Sequence, residues 1–279
     1  MTKSSRGSAT TAVIFAIVLL LVTFGTIYFF VKRTWWFPES ITTIGNEIDA
    51  QFMRTLWITG VVFLVSQVAL AWVIFRYRQR TPGTKAEYSH GNNTMEAVWT
   101  TATVVLFVGL GFYARDAWAD MYWREAAPGS VTVEVTGQQF AWHFRYAGLD
   151  GKWGKLDVKQ TNDATNPVGI DENDPDGKDD VVTPTITVPV GREVQLLLRS
   201  KDVTHSFFVR ELRFKQDTVP GMVIKMHFKA EKIGEYEIAC AELCGLGHHR
   251  MRSFLRVVSP EDYEKWLAEE VKLRLEEGQ

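Results

Sequence analysis

The chain has 279 residues with 31 basic and 33 acidic side chains, a formal net charge of −2. A balance this close to neutral lacks the basic footprint of a nucleic-acid-binding protein, and nucleic acid is excluded as a partner. The mildly negative mean hydropathy conceals two unlike parts, an apolar amino-terminal third and a polar remainder that dilutes it.

Thr11 to Val31 is a run of 21 residues without a charge, enough to cross a hydrocarbon core of about 30 Å as a helix. Uncharged runs recur from Thr55 to Phe75 and from Ala97 to Ala114, so three membrane helices are predicted near 11–31, 55–75 and 97–114. Lys3 and Arg6 would suit the start of a secretory signal. The first apolar run, however, exceeds the usual signal core, and KRTWWFPES follows it without a small-x-small cleavage site. It is read as a retained span.

The linker after the second run carries Arg76, Arg78, Arg80 and Lys85 against Glu87, which places it in the cytoplasm by the positive-inside tendency. The carboxy-terminal part then faces outward. Lys3 and Arg6 agree with an inside amino terminus, whereas Lys32 and Arg33 fall outside and run against the tendency. Trp35, Trp36, Trp118, Tyr122 and Trp123 are expected in the outer aromatic belt. Glu96 opens the third run within HGNNTMEAVWT, and by position alone it is a solvated helix end.

Beyond Pro128 the pattern changes to short alternating runs bounded by turn residues. VTVEVTG, QQFAWHFRYAG, TPTITVPVG, REVQLLLRS, VTHSFFV, GMVIKMHF, GEYEIAC and SFLRVV each read as a strand. Many short strands predict a β-sandwich or barrel. One long loop, residues 148–180, interrupts them and packs six acids and one lysine between Asp171 and Asp180. It reads as a solvated loop, a weak cation site, or a surface that steers a basic partner protein. Ser259, Pro260, Glu261 and Asp262 then open a closing helix, with Tyr263, Trp266, Leu267, Val271 and Leu275 at helical spacing.

The chemistry concentrates in CAELCGLGHHRM, residues 240–251, which holds both cysteines of the chain. Cys240 and Cys244 alone would fit a disulfide or two inert thiols. His248, Met251, and the glycines Gly245 and Gly247 shift the reading to a metal loop. Thiolate, imidazole and thioether together suit copper. KDVTHSFFV, upstream, offers His205 as a further ligand from a strand.

The pattern C-x3-C-x3-H-x2-M, with Glu between the cysteines, resembles subunit II of haem–copper cytochrome oxidases. That resemblance covers about residues 50–258 and implies a membrane-anchored α plus all-β chain. Its parts would be a membrane anchor over 1–127, a cupredoxin-like Greek-key sandwich over 128–258, and a carboxy-terminal helix over 259–279. It further implies a dinuclear copper A centre bridged by Cys240 and Cys244. His205 and His248 would be terminal ligands, and Met251 with the Glu242 carbonyl weak axial ones. The Glu242 side chain corresponds to a magnesium ligand at the junction with subunit I, and His249 stands where the family has a small polar residue. Glu96 matches the Glu at the mouth of a proton-conducting path. The familiar subunit II has two membrane helices, so the first one here is an addition.

Two segments depart from the family pattern. In GQQFAWHFRY a Phe, Phe140, stands where the family has the Trp that receives electrons from cytochrome c, and Ala141 replaces a further aromatic; Trp142 keeps its indole. The relay is expected through Trp142 and Phe140, or from another periplasmic or membrane-bound donor. Pro220, Gly221 and Met222 stand where the family has Pro-Gly-Arg.

The function implied is that of the electron-accepting subunit of a proton-pumping terminal oxidase in the bacterial plasma membrane. Its copper domain would lie on the periplasmic side, its partners would be subunits I and III, and haem and oxygen chemistry would reside in the partner. No histidine lies in the three apolar runs, and no C-x2-C-H for covalent haem is present. A nitric oxide reductase subunit with the same centre is one alternative, and a membrane-tethered copper carrier another. Intact Cys240 and Cys244 oppose a quinol oxidase, and the length leaves no place for the second domain of a nitrous oxide reductase.

Overall fold

The computed structural model describes residues 9–34, 36–81, 85 and 87–277. Lys3, Arg6 and Trp35 lie outside the described residues. Three long helices lead the chain: α1 (Ala9–Val31), α2 (Thr43–Arg76) and α3 (Asn93–Tyr122). Each is long and apolar enough to cross a membrane. At 1.5 Å per residue α2 is about 51 Å long, well beyond a hydrocarbon core of about 30 Å. It therefore starts a dozen residues before the uncharged run that marks its span, because helical hydrogen bonding continues where the side chains turn polar. Asn92 caps α3, its Oδ1 accepting from Met95 N at 3.0 Å.

Among the described residues ten strands follow: β1 (Val131–Gln138), β2 (Ala141–Tyr146), β3 (Val181–Thr183), β4 (Ile186–Pro189), β5 (Glu193–Ser200), β6 (His205–Val209), β7 (Phe214–Thr218), β8 (Ile224–Lys229), β9 (Gly234–Cys240) and β10 (Arg252–Val258). They form two five-stranded sheets, ordered β3-β2-β1-β5-β8 and β4-β10-β9-β6-β7. The sheets are mixed, β1 pairing parallel with β5 and β4 parallel with β10. The arrangement is consistent with a cupredoxin-like sandwich. Between the sheets lie Val133, Val135, Phe144, Leu196, Leu198, Val209, Ile238 and Leu255, all fully buried.

Strands β3 and β7 were not predicted. Val181–Thr183 is short and continues an acidic loop, and Phe214–Thr218 (FKQDT) has too few apolar residues to show a period. Alternation also fails at two places for one reason. Glu134 in β1 and Arg145 in β2 belong to the outward set, are register partners, and are nonetheless buried. The 148–180 segment covers them: Arg145 bonds Glu134 at 2.9 Å, Asp180, and the Gly154 carbonyl, while Trp153 stacks on its guanidinium.

Most of the acids in that segment are used in the same inward manner. Asp174 accepts from Lys155 N at 2.9 Å, Asp179 from Leu149 N at 2.8 Å, and Asp171 from Gln160 Nε2 at 2.7 Å. Burial pushes the Asp180 carboxyl up, and Arg145 opposes the shift. The segment is thus a packed cover, and its carboxylates are largely spent on holding it in place.

A helix α4 (Pro260–Glu277) ends the described chain. Ser259 caps it, accepting from Asp262 N at 3.1 Å and donating to the Asp262 carboxylate at 2.7 Å. Tyr263, Leu267 and Val271 are buried against the sandwich, and Trp266 meets Tyr146 edge-on at 5.1 Å. Leu275 stays exposed.

The chain divides into two compact units, residues 1–37 with 50–114, and residues 38–49 with 115–279. The second unit therefore includes a short strap before α2 and the first two turns of that helix. Ile41 enters the sandwich core, its N–H donating to Glu211 O at 3.0 Å and its carbonyl accepting from Glu231 N at 2.8 Å. Arg213 grips the strap through Asp49 at 2.7 Å and the Pro38 carbonyl.

Candidate metal centre

His205 opens β6, Cys240 closes β9, and residues 241–251 loop from β9 to β10. Antiparallel pairing sets Phe207 opposite Cys240, so the first histidine and first cysteine meet at one end of the second sheet. A backbone bond from Ala241 N to Ser206 O, 3.0 Å, and another from Cys240 N to Met251 O, 3.2 Å, close the loop on itself.

The donor atoms converge on a sulfur pair. Cys240 Sγ and Cys244 Sγ are 3.9 Å apart, with His205 Nδ1 4.0 Å from Cys240 Sγ. On the other side His248 Nδ1 is 3.6 Å and Met251 Sδ 3.8 Å from Cys244 Sγ, while the Glu242 carbonyl lies 3.2 Å from Cys240 Sγ. Among the described residues, the ligand atoms of His205, Cys240 and Cys244 lie within 4.8 Å of one another, close enough to hold a metal ion. His205, Cys244 and Met251 are buried, whereas Glu242 and His249 are exposed.

This geometry is not that of a disulfide, whose sulfurs sit about 2.05 Å apart. A metal–sulfur bond of about 2.3 Å would allow one ion to touch both sulfurs. Two thiolates, two imidazoles, a thioether and a carbonyl form a soft-to-intermediate donor set that suits copper.

The electrostatics also call for a cation. Burial opposes ionisation of Cys240, but hydrogen bonds from His205, the Ser206 and Glu242 backbone and His248 bring its thiol down to about 6. Burial and the charge on Cys240 push the Cys244 thiol up to about 11. The two thiols are thus pushed in opposite directions, and a cation between the sulfurs would favour loss of both protons.

Around the donors stands a bracket of side chains. Asp202 Oδ1 accepts from His205 Nε2 at 2.8 Å, which fixes the ring with Nδ1 toward the sulfurs. Burial would raise the Asp202 carboxyl, yet bonds from Gln139 N, His205 and Val203 N hold it below the usual range, so it is an acceptor only. Its Oδ2 takes Gln139 N at 2.7 Å, and the Gln139 side-chain amide donates to the Cys244 carbonyl. One carboxylate thus ties the histidine to the β1–β2 turn, and that turn to the copper-type loop. Sequence reasoning missed both Asp202 and Gln139, although the three-residue offset of Asp202 from His205 was the visible signal.

The glycines of the loop have a specific neighbour. A Cβ on Gly245 would come within 3.1 Å of the Phe140 ring, and one on Gly247 would overlap it. Gly137 plays the same part for His205, whose Cδ2 would lie 2.8 Å from an added Cβ. Phe140 is 39% exposed and lies against the loop, while Trp142 is buried and meets His205 edge-on at 6.0 Å. Glu96 lies in the first turn of α3, exposed and far from the donor set in sequence.

Comparisons with known proteins place the chain in a family. The family described as cytochrome C oxidase subunit II, periplasmic domain, matches residues 131–258, from the first residue of β1 to the last of β10. The chain is 36% identical over 260 residues to the alternative cytochrome c oxidase subunit 2 of Bradyrhizobium diazoefficiens, covering 91% of each chain. It is 32% identical to the cytochrome c oxidase subunit 2 of Thermostichus vulcanus, over 82% of this chain and 76% of the relative. The periplasmic domain of subunit II of cytochrome oxidase from Bradyrhizobium japonicum aligns at 25% identity and a TM-score of 0.40, covering 54% of this chain and 97% of that one. With three spans, an extracytoplasmic sandwich and this coverage, the chain belongs to the cytochrome c oxidase subunit II family and is a membrane-anchored subunit of a haem–copper oxidase.

Proposed function

We propose that this chain is the electron-accepting subunit of a terminal oxidase that reduces dioxygen with proton pumping, and that the sulfur pair holds a dinuclear copper A centre. The observation that carries the reading is the convergence of both His Nδ1 atoms, the Met251 sulfur and the Glu242 carbonyl on Cys240 and Cys244 within 4.0 Å. When bound, the copper pair supplies one-electron relay.

In this reading Cys240 and Cys244 would supply the shared thiolates, His205 and His248 an imidazole each, and Met251 and the Glu242 carbonyl the weaker donors. Asp202 holds the His205 tautomer, and Gln139 holds the loop backbone. A donor set anchored by two strands and a bracket changes shape little with charge, which keeps the reorganisation cost of electron transfer low. Electrons arrive from cytochrome c or an equivalent periplasmic or membrane-bound donor, past the exposed edge of Phe140 and the buried Trp142. The exposed Glu242 carboxylate is free to meet a magnesium ion with subunit I. Glu96, at the positive end of α3, serves proton uptake. Residues 1–127 anchor the domain of 128–258 in the bacterial plasma membrane with the site on the periplasmic side, and 259–279 complete it.

The test is copper content and electron paramagnetic resonance of the purified oxidised complex, followed by reductant with dioxygen or nitric oxide. Hyperfine structure shared by two copper nuclei, with oxygen uptake, is expected. The same signal with nitric oxide consumption and negligible oxygen uptake would move the chain to a nitric oxide reductase. Absence of the signal would remove the copper assignment.

A further inference from the structure

The first compact unit contains a groove between α1 and α2, about 520 Å³ in volume. Phe30 and Val31 wall it on one side, and Leu56, Trp57 and Phe63 on the other. Gly60 forms its floor, and a Cβ there would meet no atom within 4 Å. The space over Gly60 is therefore open to an occupant. Both walls are membrane-spanning, so what fills it must be apolar along its length.

One end of the groove is different. Arg33 lines it, immediately after α1 and beside Lys32. A helix of 23 residues is about 35 Å long, so its end falls at the level of the lipid headgroups. That end is extracytoplasmic, because the strap that follows it packs into the extracytoplasmic domain. Two cations there oppose the positive-inside tendency and need another explanation. Among the described residues neither is paired with a carboxylate. Lys32 stands over Tyr28 at 5.9 Å and Arg33 over Trp36 at 5.8 Å, contacts that steady a side chain without neutralising it.

An apolar trough in hydrocarbon with an unneutralised guanidinium at its headgroup end matches an anionic phospholipid. A partner helix laid in the trough would instead place Arg33 against apolar surface with its charge unmet. We propose that this groove is a site for one anionic phospholipid, its acyl chain running along Gly60 between α1 and α2 and its phosphate held by Arg33. Arg suits this role because its planar fork donates two parallel hydrogen bonds to phosphate oxygens, and Lys32 adds charge nearby. Such a lipid would bind the first helix to the second.

The experiment uses the purified complex, stripped of lipid by detergent, resupplied with dioleoyl-phosphatidylglycerol, and weighed by native mass spectrometry. Arg33→Gln removes the phosphate donor, and Gly60→Leu fills the trough, where the structure leaves room for the side chain. Arg33→Gln should weaken retention about five-fold, the worth of one cation near anionic lipid. Gly60→Leu should abolish retention of one lipid while the copper signal is unchanged. Equal retention by wild type and both variants would overturn the site. A photoreactive benzoyl-phenylalanine in place of Leu64 should acquire the mass of the phospholipid; attachment to another polypeptide would give the trough to a partner subunit and overturn it equally.

Discussion

Replacing Asp202 with Asn is the sharpest probe of how the donor set is held. The carboxylate accepts three N–H groups, from His205 at 2.8 Å and from Gln139 and Val203 at 2.7 Å each. An amide of the same shape has only one oxygen. With its nitrogen at Oδ2 it opposes Gln139 N–H and releases the β1–β2 turn. Turned the other way, it opposes His205 and Val203 and releases the histidine. Either way a donor is left facing a donor, and a lost bond to a charged group costs about 1.5–3 kcal/mol. Loss of such an outer partner typically lowers metal affinity about 10–100-fold, which is about 1.4–2.7 kcal/mol and agrees with that estimate. The assay is competition for copper by a chelator of known affinity, with circular dichroism to verify the fold and redox titration to follow the potential. Unchanged affinity and potential in a folded variant would refute the idea that Asp202 orients His205.

Other outcomes follow from the same contacts. Arg145→Leu should destabilise the sandwich by about 3–5 kcal/mol in denaturant melts, since it leaves Asp180 without a cation in a dry site while Glu134 keeps Arg199 at 3.0 Å; adding Asp180→Asn should recover much of the loss. Gly247→Ala should cost about 1–3 kcal/mol by driving a methyl into Phe140, and Phe140→Ala in the same chain should relieve it; additive losses in thermal melts would contradict the contact. Ile41→Ala should cost about 2–5 kcal/mol through the cavity it leaves, read as a lower unfolding midpoint of the sandwich. Neutralising Asp171 and Asp179 should lower stability more than donor association, measured by melting and by stopped-flow reduction at low salt.

The parts that the sequence made legible were those in which chemistry or period repeats. Uncharged runs gave the three spans, alternation gave eight strands, and the offsets among Cys240, Cys244, His248 and Met251 gave a loop whose donors do converge. His205 was legible because a strand had to supply a partner. What stayed hidden is held by tertiary contacts that leave no local period. Ile41 is a single apolar residue in a polar stretch, and only its fit between Glu211 and Glu231 makes it core. The acidic segment suggested a charged docking face because counting acids says nothing of direction, and Arg145 beneath it looked like an ordinary outward strand residue. Gly245 and Gly247 looked like the pliable part of a metal loop, whereas the space they open belongs to Phe140.

The strap before α2 has a consequence for how the protein is made. Ile41 pairs its backbone with Glu231, and Glu39 reaches Lys232, 193 residues further along the chain. At a synthesis rate of about 5–20 residues per second, about 10–40 s separate the emergence of the two sides. The second and third spans are made within that interval, so the strap emerges well before the sheet that receives it exists. Its apolar side chain must wait in water until Glu211 and Glu231 are made. A fragment that begins after the third span never receives it, and would carry an open slot in its core where Ile41 belongs.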